Sequence, residues 1–206
     1  LDHLFFRVER VLVHDHFAQR PTGVGLIGLL VGGGVFGAVW VLYPYPARQL
    51  EEYPSGVRVL DGAGAVLRVF SSPSEEFRFP VPLDEISPWL QKATIAVEDR
   101  RFYSHCGVDP LAILRAVVQN VARREIHSGA STLTQQLVRM LENRPRTLTT
   151  KAVEAFRALQ LESQCDKDQL LEAYLNLAPY GGNLRGVEAA ALRYFGKSAR
   201  EVSLSE

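Results

Sequence analysis

Between Pro21 and Ala47 the chain carries no charged side chain, and within that run Thr22 to Tyr43 supplies 22 mostly apolar residues. A bilayer core of about 30 Å is crossed by about 20 residues at helical rise, so the run predicts one transmembrane helix over 22–43. Trp40, Tyr43 and Tyr45 gather at one end of it, where amphipathic rings favour the membrane interface. A signal peptide would show a shorter apolar region and a small-residue cleavage site; Tyr43-Pro-Tyr-Pro46 stands there instead. Arg7, Arg10 and Arg20 precede the run, and the first positive residue after it is Arg48. That asymmetry places segment 1–21 in the cytoplasm and everything beyond the span outside it. Leu4, Phe5, Val8, Val11 and Leu12 share one helical face, the pattern of an interfacial helix or a packed stem.

The remainder is long enough for one globular domain. Lys+Arg and Asp+Glu balance at 23 each, so bulk charge gives no ground for a nucleic-acid partner. Cys106 and Cys165 are too few for a disulfide framework and read as free thiols. The first residue is Leu, which marks the chain as a fragment or a trimmed product.

Region 44–88 reads as a linker followed by a β-hairpin. Val57-Arg-Val-Leu60 and Ala65-Val-Leu-Arg-Val-Phe70 flank the turn Asp61-Gly-Ala-Gly64. Ser71–Glu76 is a polar loop, and Phe77–Val81 predicts a further short strand. Beyond Pro88 the pattern turns helical. Asp109-Pro110 supplies an N-cap and a first-turn proline, and Leu114, Val117, Val118 and Val121 form one apolar stripe. Thr132 with Gln135 has capping-box spacing ahead of Leu133, Leu137, Met140 and Leu141. Asp166 with Gln169 starts another helix carrying Leu170, Leu171, Tyr174 and Leu175, and Gly196 stops the helix Ala189–Phe195. The fold class expected for this region is mainly α, with a small membrane-proximal β element.

Glu98 and Asp99 follow an apolar run and are flanked by Arg100, Arg101, Phe102 and His105. A carboxylate at the end of a buried segment is a candidate general base or acid, because desolvation raises its pKa toward the working pH. Glu154 is a second candidate. Arg139, Arg146 and Lys151 lie within one helix and its following loop, with Arg115 on the preceding helix, a set of cations suited to phosphate charge. Gly129, Ser131, Thr132, Gln135 and Gln136 offer donors at a helix start, fit for phosphate or sugar, although Ser131 and Thr132 serve equally well as caps. His105 reads as a hydrogen-bonded structural residue, and Phe102 as packing that orients the Glu98 loop. No His/Cys/Asp cluster has protein-metal spacing.

Five segments occur in order: Thr94–Asp109, Ser128–Gln136, Lys151–Glu154, Ala173–Asn176 and Arg185–Lys197. Together they resemble the peptidoglycan glycosyltransferase domain (glycosyltransferase family 51) of class A penicillin-binding proteins, and Tyr180-Gly-Gly-Asn-Leu-Arg185 resembles the C-type members most. The resemblance implies a lysozyme-like glycosyltransferase domain over 89–206. It implies polymerisation of lipid II into β-1,4-linked glycan with inversion and release of undecaprenyl pyrophosphate, at the bacterial inner membrane. By the same resemblance Glu98 deprotonates the acceptor 4-hydroxyl and Glu154 assists at the leaving group. Arg115, Arg139, Arg146 and Lys151 then hold pyrophosphate, and Asp99, Ser131, Thr132, Gln135 and Gln136 line the substrate cleft. Thr150-Lys151 stands where the family usually shows Arg-Lys, which puts more weight on Arg146 and Lys151. The resemblance also allows Mg²⁺ or Mn²⁺ between carboxylate and pyrophosphate. The partners implied are lipid II, the growing strand, the membrane and a transpeptidase domain, whose Ser-x-x-Lys and Lys-Thr-Gly motifs do not occur in this chain. The family domain continues into another helix beyond the position of Glu206, so the domain reads as truncated. A lytic enzyme also uses acidic side chains but has no need of pyrophosphate cations, and a scaffold with a dead site has no need of both glutamates.

Overall fold

The computed structural model describes residues 22–50, 54–64, 66–123, 130–145 and 147–206, with the side chains of 22–31 and Arg123 outside the description. Two compact units are present, Leu1–Pro44 and Tyr45–Glu206.

The first unit contains helix α1 (Thr22–Leu42), whose 21 residues include no charge. Among the described residues no helix is long and apolar enough to cross a membrane. The expected cytoplasmic segment 1–21, with its arginines and its apolar face, lies outside the described residues.

The second unit begins with the expected hairpin. Strand β1 (Val57–Leu60) pairs antiparallel with β2 (Val66–Phe70), Val57 opposite Phe70, with an irregularity between Val59 and Leu60. The turn closes on Asp61: its Oδ1 accepts the Ala63 N–H at 2.8 Å, and Gly64 takes a φ of +86° that favours glycine. The third strand is shorter than expected. β3 (Phe77–Arg78) pairs in parallel with β4 (Leu184–Arg185). Pro80 has no N–H for a ladder, and Val81 is instead clamped by the Asn176 side chain. Asn176 Oδ1 accepts the Val81 N–H at 3.0 Å, and its Nδ2 donates to the Val81 carbonyl at 2.8 Å.

Helices make up the rest: α2 (Pro88–Glu98), α3 (Pro110–Arg123), α4 (Leu133–Glu142), α5 (Leu148–Glu162), α6 (Lys167–Leu177) and α7 (Val187–Phe195). The caps follow the sequence. Asp109 Oδ1 accepts from Leu111 and Ala112, and both capping boxes, Thr132/Gln135 and Asp166/Gln169, form reciprocally. Gly196 ends α7 at φ +68°. α4, α5 and α6 pack on one another around Leu133, Leu137, Leu161, Leu170, Leu171 and Leu175, with Phe102 fully buried beside them. The stripe Leu114, Val117, Val118 and Val121 does not join that core; Val121 is 73% exposed, and among the described side chains of its helix only Ala116 is buried. The hairpin is tied to the helical body through buried Glu188, which accepts from Arg58, Ser198 and the Ala199 N–H.

Gly107 shows how closely the loop before α3 meets α5. It sits at φ +90°, and a Cβ there would stand 2.7 Å from the Ala158 carbonyl carbon and oxygen. Gly107→Ala should therefore destabilise the domain by about 1–3 kcal/mol from backbone strain alone, with overpacking adding to it. Urea unfolding measures the loss, and a variant as stable as the parent contradicts this packing.

Candidate active site

The site is organised where α2 ends. Asp99, the residue capping that helix, turns inward and is buried. Its Oδ2 accepts from the Leu133 N–H at 3.0 Å at the start of α4, and from His105 Nε2 at 2.9 Å. The Gly107 N–H donates to His105 Nδ1 at 3.2 Å, which leaves the ring proton on Nε2, facing Asp99. The Thr132 hydroxyl donates to the Gly107 carbonyl at 2.6 Å, so loop 99–107 and the first turn of α4 form one hydrogen-bonded unit.

Because Asp99 points inward, Glu98 points out. It is exposed, and Val97 before it is 79% exposed. The desolvated carboxylate expected from the apolar run is therefore not what the fold builds: α2 presents this face outward. What Glu98 meets is Gln136, whose Nε2 donates to Oε2 at 2.9 Å. Tyr174 in turn donates its hydroxyl to Gln136 Oε1 at 3.3 Å. Burial, and after it the negative charge of Glu98, keeps the Tyr174 and Tyr180 phenols protonated, with Tyr180 pushed up to about 12. Glu98 opens into a cleft of about 570 Å³ lined also by Arg100, Arg101, Arg115, Ser131 and Thr132.

A second cavity of about 340 Å³ is lined by Ser131, Arg139, Thr147, Leu148, Lys151 and Glu154. Ser131 lines both cavities. Glu154 is buried rather than on a helix surface, and its carboxylate is held bidentately by Arg139, Nε to Oε1 and Nη2 to Oε2, each at 2.8 Å. The Glu154 hydrogen bonds hold Arg139 above its ordinary pKa, against partial burial. Lys151 is exposed one turn before Glu154. Arg139 lines a third cavity of about 440 Å³ with Arg185, whose Nε lies 2.9 Å from Glu76 Oε1.

Residues 63–206 match the family described as transglycosylase. Over 175 residues the chain is 39% identical to penicillin-binding protein 1C of Escherichia coli (strain K12), covering 84% of this chain and 22% of that protein. It is 37% identical to penicillin-binding protein 1A of Aquifex aeolicus (strain VF5), over 91% of this chain and 26% of that one. Identity to penicillin-binding protein 1A of E. coli (strain K12) is 39%, over 86% and 21%. The chain belongs to the transglycosylase family. It spans about a quarter of the length of these curated relatives.

Within this transglycosylase domain, the sequence-derived residues separate into groups. Glu98, Asp99, Arg115, Ser131 and Thr132 line one cleft, and Ser131, Arg139, Lys151 and Glu154 the other. The cations do not share a helix and its loop as expected: Arg139 is on α4, Lys151 in the first turn of α5, and Arg146 lies outside the described residues, as does Gly129. Thr132 and Gln135 form the capping box of α4. Asp99, which also lines the cleft, directs its oxygens to His105 and Leu133 and so holds the loop in place. Tyr174 and Tyr180 were not among the residues read as site residues, because at helical spacing Tyr174 is indistinguishable from a core aromatic.

The proximity of Glu98 to these phenols has a pH signature. A folded-state tyrosine value above the unfolded one, about 10, leaves stability untouched below pH 10 and erodes it as pH rises toward 12. In Glu98→Gln an ultraviolet tyrosine titration should shift to lower pH without reaching the unfolded value, since burial is the larger cause. An unshifted titration contradicts the placement of Glu98 against Tyr174 and Tyr180.

Proposed function

We propose that this domain polymerises lipid II into β-1,4-linked glycan strands and releases undecaprenyl pyrophosphate. The observation that carries this reading is the adjoining pair of cavities: an outward-facing carboxylate, Glu98, in one, and Lys151 with the Arg139–Glu154 pair in the other, with Ser131 lining both. Base and cations then flank one reacting centre. Glu98 takes the proton of the acceptor 4-hydroxyl. The freed oxygen attacks the anomeric carbon of the donor from the face opposite its pyrophosphate, forming the new C–O bond with inversion as the C1–O bond to pyrophosphate breaks. Negative charge grows on the departing pyrophosphate, where Lys151, Arg146 and Arg139 meet it through charge-assisted hydrogen bonds. Arg139 is engaged by Glu154 beforehand, so the leaving group competes with that carboxylate for the guanidinium, and Glu154 acts on the leaving group through Arg139. Cleavage of glycan would call for no such cations, which favours synthesis over a lytic reaction.

A divalent cation fits the described side chains poorly. Both Glu154 oxygens are on Arg139, Asp99 is committed to His105 and Leu133, and among the described residues no three His, Cys, Asp or Glu side chains converge.

The lipid-borne substrate suits a membrane setting. From the charge-free run 22–43 and the arginines before it we infer a single-pass inner-membrane anchor with the domain outside the cytoplasm, and from the exposed apolar face of α3 a surface that rests against lipid. From the family we infer a lysozyme-like fold and a transpeptidase domain as partner.

Glu98→Gln preserves size but removes the base, so polymerisation of labelled lipid II should fall about 10²–10⁴-fold. Lys151→Ala should cost about 1.5–3 kcal/mol of charge-assisted stabilisation in donor use. Gel analysis of the glycan product measures both. Near-parental polymerisation by Glu98→Gln removes the base assignment, and parental donor use by Lys151→Ala makes that lysine a solvated surface charge.

A further inference from the structure

Glu98 is exposed yet not free to turn. Its Oε2 is held by the Gln136 amide at 2.9 Å, and that amide is itself held by the Tyr174 hydroxyl at 3.3 Å, donated from the far side. Gln136 is on α4, Tyr174 on α6 and Glu98 at the end of α2, so three helices supply one hydrogen-bonded row. Its direction is chemically determined. An ionised carboxylate only accepts, so the amide must turn its NH₂ toward Glu98, which leaves Oε1 to accept from the phenol. Tyr174 is buried and stays protonated, able to donate. Among the described residues Glu98 Oε1 carries no hydrogen bond, and it is the oxygen left for an incoming proton.

We propose that Gln136 and Tyr174 are positioning residues for Glu98, with Gln136 holding one carboxylate oxygen and Tyr174 fixing the orientation of that amide, rather than Gln136 binding the sugar substrate. The inference rests on the reading of Glu98 as the base. The row holds one carboxylate oxygen in place before the acceptor arrives and leaves Oε1 for the incoming proton. Arg100, Arg101, Arg115 and Asp109 line the same cleft, and the Tyr180 phenol lies near Glu98. Asp99 is turned away toward His105. Gln136 is the one of these for which a direct hydrogen bond to Glu98 is described.

The test is lipid II polymerisation by the full chain, with kcat and KM separated, for Gln136→Met, Tyr174→Phe, Glu98→Gln and the pair Glu98→Gln/Gln136→Met. Gln136→Met keeps the length of the side chain and removes the donor, so kcat should fall about tenfold with KM for lipid II unchanged. Tyr174→Phe removes only the hydroxyl and should lower kcat about threefold at constant KM, since the amide stays but can rotate. Added to Glu98→Gln, Gln136→Met should cost nothing further, which a loss of fold alone would not produce; thermal melting of each variant checks the fold. Parental kcat in both single variants, a Gln136→Met effect confined to KM, or losses that multiply in the pair overturn the positioning role. Parental turnover in Glu98→Gln instead overturns the base reading on which it rests; an inactive Glu98→Gln with parental kcat in Gln136→Met and Tyr174→Phe removes the positioning role alone.

Discussion

The Asp99 carboxylate is the contact on which the site depends. Buried charge is tolerated only when paired and hydrogen-bonded, and Asp99 meets that demand with His105 on one side and the first backbone N–H of α4 on the other. The positive end of the α4 dipole favours a carboxylate there. Several consequences follow from that one placement. The end of α2 is locked to the start of α4, the loop between them packs Phe102 into the core, and Gly107 is drawn against α5. Since neighbouring residues at a helix end diverge, the inward turn of Asp99 directs Glu98 outward to the cleft.

At the other end of the site a second buried carboxylate is satisfied differently. Glu154 is paired with a partly exposed arginine, so its partner can be approached by a ligand. Breaking a buried pair by taking one member away is strongly unfavourable unless another charge replaces it. In the proposed reaction a pyrophosphate reaching Arg139 would be resisted by Glu154, with Lys151 offsetting that resistance. On that proposal the first carboxylate fixes geometry and the second tunes the availability of a cation.

Much of this was legible in the chain because it is written in local chemistry. Asp109-Pro110, Thr132 with Gln135, and Asp166 with Gln169 mark helix starts whose caps all form, and Asp61-Gly-Ala-Gly64 marks the hairpin turn. α5 left no such trace. Its buried positions mix Thr150, Glu154 and Gln160 with Ala158 and Leu161, so no apolar period shows. The stripe on α3 has helical periodicity but faces outward, since periodicity reveals an apolar face and not what covers it. The exposure of Glu98 departs from expectation for the same reason: Ile95–Val97 is apolar in composition, yet Ala96 and Val97 are exposed. The Tyr174–Gln136–Glu98 row joins three helices, and no spacing in the chain announces it.

If Asp99 acts by placing Glu98, the two residues must fail together. The direct measurement is a double-mutant cycle in single-turnover polymerisation of lipid II, with Asp99→Asn, Glu98→Gln and the pair. The account predicts that Asp99→Asn slows the parent severalfold and that adding it to Glu98→Gln costs nothing further, because a misplaced base is lost only once. Losses that multiply in the double variant would show that Asp99 serves the reaction independently of Glu98, and would contradict the account.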